Sequence, residues 1–222
     1  MFRPDAKEAV PICNRVLTYM LALAPTRGRP GSDLRTAVGD FLADAESLIA
    51  NDQAGPPLDA IFELARVTGL TQPQIESVRL AAVAETPKLL GAVLIQNALI
   101  RFCLAYECRI IADMAFVSRQ DVDNIKNIMM AAFEPSQELA ADDMDQAAYM
   151  ALVQLHAALA FHLDQTARPL PRILTYAFMD VLPTLVLAYR LYADAGRADE
   201  VRAENKIVHP AFGLREGNAL SS

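Results

Sequence analysis

Apolar residues recur at three- and four-residue steps through most of this chain, the period of a helix with one buried face. Leu34, Val38, Phe41, Leu42, Ala45, Leu48 and Ile49 show it most clearly, on a helix capped by Ser32 or Asp33. Ahead of it the same period predicts a helix over about Ala6 to Ala24, kinked at Pro11 or beginning there, then a turn over Pro25 to Gly31. After "NDQAGPP", the run "LDAIFELARVTG" reads as a shorter helix stopped by Gly69. Thr71 and Gln74 form a capping box for the next one, which Pro87 interrupts or bends. The segment Leu89 to Phe116 is apolar nearly all round, as expected of a central helix enclosed by neighbours. Ser118 and Asp121 open a further helix with a similar box, and Ile125, Ile128, Met129 and Ala132 supply its buried face. "EPSQELAADDMD" reads as a bend, a helix end and an acidic loop, followed by a helix from about Met144 to Ala167 that "RPLP" stops.

Past Pro171 the pattern changes. "RILTYAF" is rich in β-branched and aromatic residues and reads as a short strand. "MDVLPTLVLAYRLYADAG" is a helix with Pro183 in its first turn and Gly196 at its end, and "RADEVRAEN" is a second short helix. Asn205 suits the left-handed position that closes that helix, and Gly217 precedes a last apolar pair, Ala219 and Leu220. The expected fold is mainly α: a helical bundle over 1–170, its helices joined by short connections, followed by a small β-α-α-β module over 171–222.

Composition narrows the chemistry. A chain of 222 residues suits one domain, or one domain with a small appendage. The net charge of −7 and the lack of any run of Lys or Arg longer than two make nucleic acid an unlikely partner, with Arg27 and Arg29 the start of any basic patch. Cys13, Cys103 and Cys108 lack the spacing of a zinc site or a disulfide framework and suit buried thiols in a reducing cytoplasm. The start "MFRPDAKEAV" lacks an export signal, and the uncharged stretch Leu89 to Ile100 is short of the roughly 20 residues that span a bilayer, so no membrane is expected. His156 and His162 are six apart, on different faces of one helix, and Asp142, Asp143 and Asp145 lack the Gly and distal Glu of a calcium loop. With no phosphate-binding loop and no nucleophile elbow, the expectation is a non-enzyme without metal or cofactor.

Two resemblances give the C-terminal half a meaning. "TYAF", "MDVLPTLVLAYRLYADAG", "RADEVRAENKI" and "REGNAL" fill in order the places of a LysM module, an aromatic first strand, an Asp-led helix, a second helix ending in "N-x-I" and a strand after Gly. More widely, "FVSRQDVDNIKNIM", "ARPLPRILTYAF", "LPTLVLAYRLYADAGRADEV" and "ENKIVHPAF" resemble the C-terminal part of the Mu-like phage DNA circulation proteins, which are tail and baseplate components. Ala193 stands where that family commonly has Gly.

The resemblance implies a structural protein of a phage tail baseplate, an adaptor between wedge or hub and tail subunits in the virion, assembled in the host cytoplasm. It implies other baseplate and tail proteins as partners and several copies, about six, around the tail axis. A DNA-acting circularisation factor and a peptidoglycan-binding accessory of the injection apparatus are the alternatives. The residues expected to carry the interaction or shape the module are Tyr189, Arg190, Tyr192, Asn205, Ile207, His209 and Phe212, with Ile207 and Phe212 buried inside it.

Overall fold

In the computed structural model residues 3–25 and 28–221 are described, with side chains from residue 5 onward. Arg27 therefore lies outside the described residues, and Arg29 makes an exposed contact, 3.7 Å from Asp33. The chain is mainly helical, with one small sheet: α1 (Arg3–Leu23), α2 (Arg29–Ala50), α3 (Gly55–Thr68), α4 (Gln72–Val83), α5 (Leu90–Ala112), α6 (Arg119–Asp142), α7 (Gln146–Ala167), β1 (Ile173–Ala177), α8 (Thr184–Tyr192), a 3₁₀ turn (Ala195–Arg197), α9 (Ala198–Glu204) and β2 (Glu216–Leu220). It divides into two compact units, Met1–Met114 with Met130–Leu159, and Ala115–Met129 with Ala160–Ser222, where the sequence reading drew one cut at 170.

In the first unit α1 packs on α2, α4 and α5, and α5 also packs on α3 and α4. The face expected on α2 is the face it buries, with Leu34, Val38, Phe41, Ala45 and Ile49 in the core. α2 starts earlier than Ser32 or Asp33, because Pro30 occupies its first turn, where a missing N–H costs nothing. α3 ends at Gly69 in the left-handed conformation (φ 95°), and the Thr71 N–H donates to Gln74 Oε1 at 2.8 Å, which closes the capping box of α4.

The α4–α5 connection is held by side chains from outside it. Glu8 on α1 accepts from the N–H groups of Lys88 (2.9 Å) and Leu89 (2.7 Å), serving the first orphan donors of α5, whose own N-cap, Leu89, has no side-chain acceptor. Gln96 donates to the carbonyls of Ala82, in the last turn of α4, and of Glu85, in the connection itself.

Several expectations fail here, each for a physical reason. α1 does not begin at Pro11, the second of the two alternatives, but runs through it from Arg3, since Ala6, Ala9, Ile12, Cys13, Val16, Leu17 and Met20 are all buried and offset the roughly 3 kcal/mol an internal Pro costs. α6 likewise continues through Pro135 to Asp142, where a bend and helix end were expected; Ala132, Phe133 and Ala140 anchor it on both sides. Within α6, Ile128 is exposed, and Val122 takes its place in the buried stripe with Met129 and Ala132. α5 is not enclosed all round. Leu90 and Leu94 are exposed near its start, while farther along it buries a charge, Glu107, against Arg79. It is the one helix among the described residues long and apolar enough to cross a membrane, and half of its most apolar window is buried within the protein.

The second unit contains the expected order of strand, helix, helix and strand. β1 and β2 pair antiparallel, Ile173 opposite Leu220 through Ala177 opposite Glu216. The start of α6 is clamped to the segment before β1: Arg119 donates to the carbonyls of Leu170 and Arg168, and the Gln120 amide both gives to and takes from the Ile173 backbone. Cys13, Cys103 and Cys108 are buried free thiols in the first unit.

Candidate interaction surface

β1, α8, α9 and β2 enclose a small core of Tyr176, Leu187, Ala188, Ala198, Val201, Ile207 and Ala219. So few side chains cannot define a fold by burial alone, and polar groups fasten the turns. Asn205 is the central fastener. Its Nδ2 donates to the carbonyls of Val201 (2.9 Å) and Asn218 (2.7 Å), and its Oδ1 accepts from the Asn218 N–H at 2.7 Å. The end of α9 is thereby tied to β2. A Cβ on Gly217 would collide with Asn205 Oδ1 and lie 2.8 Å from the Tyr176 hydroxyl, so glycine is required for this approach. Asn205 itself is not left-handed as expected (φ −101°); the next residue, Lys206, takes that conformation (φ 52°), freeing the Asn side chain to bond across the module.

The other expected residues divide by role. Ile207 is buried, as expected. Tyr192 packs against the small core, accepts from the Leu220 N–H at 3.0 Å and lies under the Arg197 guanidinium, 3.7 Å from its ring centre; burial raises its hydroxyl above the ordinary tyrosine range. His209 accepts from the Ala211 N–H at 3.2 Å and tilts against Phe212, which fixes the "VHPAF" turn. Phe212 is a correction: it is 68% exposed and does not pin the hook from inside. The turn is pinned by backbone instead, with Thr184 N–H bonded to the Pro210 carbonyl (2.8 Å) and Gly213 N–H to the Leu182 carbonyl (2.9 Å). Gly213 sits so close to Leu187 and the Leu182 carbonyl that no side chain fits there. Two helix boundaries move as well. Pro183 caps α8 instead of lying in its first turn, and α8 stops at a left-handed Ala193 (φ 58°), short of Gly196.

What these constraints present outward is apolar. Tyr189 is 65% exposed, and Leu185 and Val186 lie beside it on the same outer face of α8. Arg190 is exposed too, its guanidinium 5.7 Å from the Phe178 ring. The two backbone bonds from the 208–214 turn bring Val208, Phe212 and Leu214 to the N-terminal end of the same helix, next to exposed Val181. Of this group sequence reasoning offers Tyr189 and Arg190 as outward contacts, and it places Phe212 inside. "TLVLAYRLY" does carry the signal, because Leu185, Val186 and Tyr189 are spaced for the side opposite Leu187, Ala188 and Leu191. In a helix of nine residues that is apolar on both sides, the pattern does not say which side faces inward.

Among the described residues, no group of three His, Cys, Asp or Glu side chains is placed to hold a metal ion. His156 stacks on Phe133, ring centres 4.9 Å apart. Asp145, of the acidic loop, caps α7 by accepting from the Ala148 N–H, which lowers its pKa, and pairs with Arg101 at 3.2 Å. Burial pushes Cys13 and Cys108 up to about 12 and raises Glu107, against the opposing pull of Arg79. No protein-family model and no curated protein matches this chain.

Proposed function

We propose that this chain is a structural protein of a phage tail baseplate, and that it holds neighbouring subunits through the outer face of a LysM-like β-α-α-β segment. The observation that carries the reading is that a segment whose backbone is heavily fastened leaves apolar side chains outward, Leu185, Val186 and Tyr189 on α8 and Val181, Val208 and Phe212 in the turns bonded to its start. Exposed apolar area of this extent on a rigid support fits a protein partner, and Tyr and Arg are the side chains most often found at binding hot spots. The likeness of "LVLAYRLYADAGRADEV" and "ENKIVHPAF" to tail components points the same way. The LysM reading is supported by the strand order, by Asn205 and Ile207 at the end of the second helix, and by Gly217 at the closing strand. A net charge of −7 disfavours duplex DNA as the partner.

The test replaces Tyr189 and Phe212 together by Ser in a phage that encodes the chain. The variant keeps its helix content and melting temperature, because both side chains face out, while its incorporation into tail particles falls at least tenfold. Normal incorporation of a folded variant overturns the reading of this face. Salt-sensitive retention of duplex DNA by the wild-type chain overturns the adaptor function itself.

A further inference from the structure

The first unit contains a cleft of about 400 Å³ that the adaptor reading does not use, within the size range of small-molecule sites. Three helix faces line it: Arg79, Leu80 and Val83 from α4, Gln96, Asn97, Ile100 and Arg101 from α5, and the stretch of α6 around Pro135. Leu80 and Val83 are each about half exposed and Leu139 is 37% exposed, so its walls are apolar surface left open. Asn97 is only 6% exposed, yet its buried Nδ2 has no hydrogen-bond partner among the described residues. An amide left unpaired at that depth destabilises the fold unless something at the site accepts from it.

The charges have one sign. Arg79, 7% exposed, and Arg101 line the cleft, and no acidic side chain does. Arg79 is engaged from behind by Glu107, its Nε donating at 2.7 Å, and Arg101 gives one nitrogen to Asp145 at 3.2 Å. An apolar trough carrying an unsatisfied donor and two guanidinium groups matches a particular kind of molecule.

We infer that this cleft binds a small amphipathic monocarboxylate, its apolar body against Leu80, Val83, Ile100 and Leu139 and its carboxylate accepting from Asn97 Nδ2 and Arg101. The site is independent of the α8 face and needs no assembled particle.

Titration of the full-length chain with octanoate, followed by NMR, tests it. Saturable 1:1 binding is expected, with the Asn97 side-chain amide resonances among those that move most. Octan-1-ol, equally apolar but uncharged, should bind at least tenfold more weakly, and octylamine should not bind. Asn97→Leu should keep or raise the melting temperature, since it removes an unpaired buried amide, while weakening octanoate at least tenfold. Should that variant fail to fold, Arg101→Gln at the more exposed lip decides, with a loss of similar size expected. Equal binding of octan-1-ol, undiminished octanoate binding in the folded variants, or no movement of cleft resonances up to the solubility limit of the probe overturns the inference.

Discussion

Around α1 and α5 the interior is built from side chains contributed by five helices, and almost any position on a buried stripe has several apolar neighbours. The β1–β2 segment has a handful of buried side chains and relies on Asn205, Tyr192 and two backbone bonds at the 208–214 turn. A large core tolerates an internal proline in α1, because burial on both sides outweighs one lost hydrogen bond. A small core has no such reserve, so its shape depends on residues that satisfy the backbone or fit where no other residue does. In the first region polar groups are a burden placed inside a sufficient core; in the second they are the frame.

The sharpest way to break this contrast is to remove Arg79. Glu107 has no exposed side-chain area and Arg79 has 8%, so Arg79→Ala leaves a buried carboxylate alone and should cost about 4 kcal/mol in denaturant unfolding at neutral pH. Converting the pair to Arg79→Met with Glu107→Leu should be close to neutral, as a large apolar core allows. The pH dependence follows from the raised pKa of Glu107. A folded state that holds its proton more tightly gains stability as pH falls below that raised value, down to the ordinary carboxyl range, and loses it as pH rises through it. The deficit of Arg79→Ala should therefore shrink on acidification, and Glu107→Gln should abolish the dependence.

Removing the frame of the small segment comes next in size. Asn205→Ala deletes three hydrogen bonds and takes the side-chain partner from the N–H and carbonyl of Asn218, which should destabilise the second unit by about 2 kcal/mol. Hydrogen exchange should quicken at Leu220 and Ser221 and leave the amides of α1 and α5 unchanged. Equal loosening of both units would erase the contrast.

The smallest effect goes the other way. Ala193 holds a positive φ where a Cβ is unfavourable, so Ala193→Gly should stabilise the second unit by about 1 kcal/mol, read as a raised midpoint of thermal unfolding.

The same contrast explains what could be read in the chain. Helix faces backed by a large core were legible: the spacing of Leu34 through Ile49 identifies the buried side of α2, and the boxes at Thr71 and Ser118 locate two helix starts. The strand over 173–177 was legible from its β-branched and aromatic content. The course of α6 past Pro135 was not, because the compensation comes from tertiary burial that local propensity does not encode. The orientation of Phe212 and the shift of positive φ from Asn205 to Lys206 were equally hidden, since in a turn either of two adjacent residues can take the strained conformation. The cleft depends on three helices far apart in sequence, and its one local signal is a polar Asn97 within the apolar run "VLIQNALI".

The three thiols of the first unit have a consequence for measuring this protein. Only a thiolate attacks a disulfide reagent, and Cys13 and Cys108, pushed to about 12 by burial, offer almost none of it while the helices stay closed. Each modification must wait for an opening of α1 or α5, so the rate of labelling counts those openings without any added probe. Cysteine is absent from residue 109 onward, so the β1–β2 segment is silent in that experiment. The chain thus carries a chemical clock that keeps time for one of its two units.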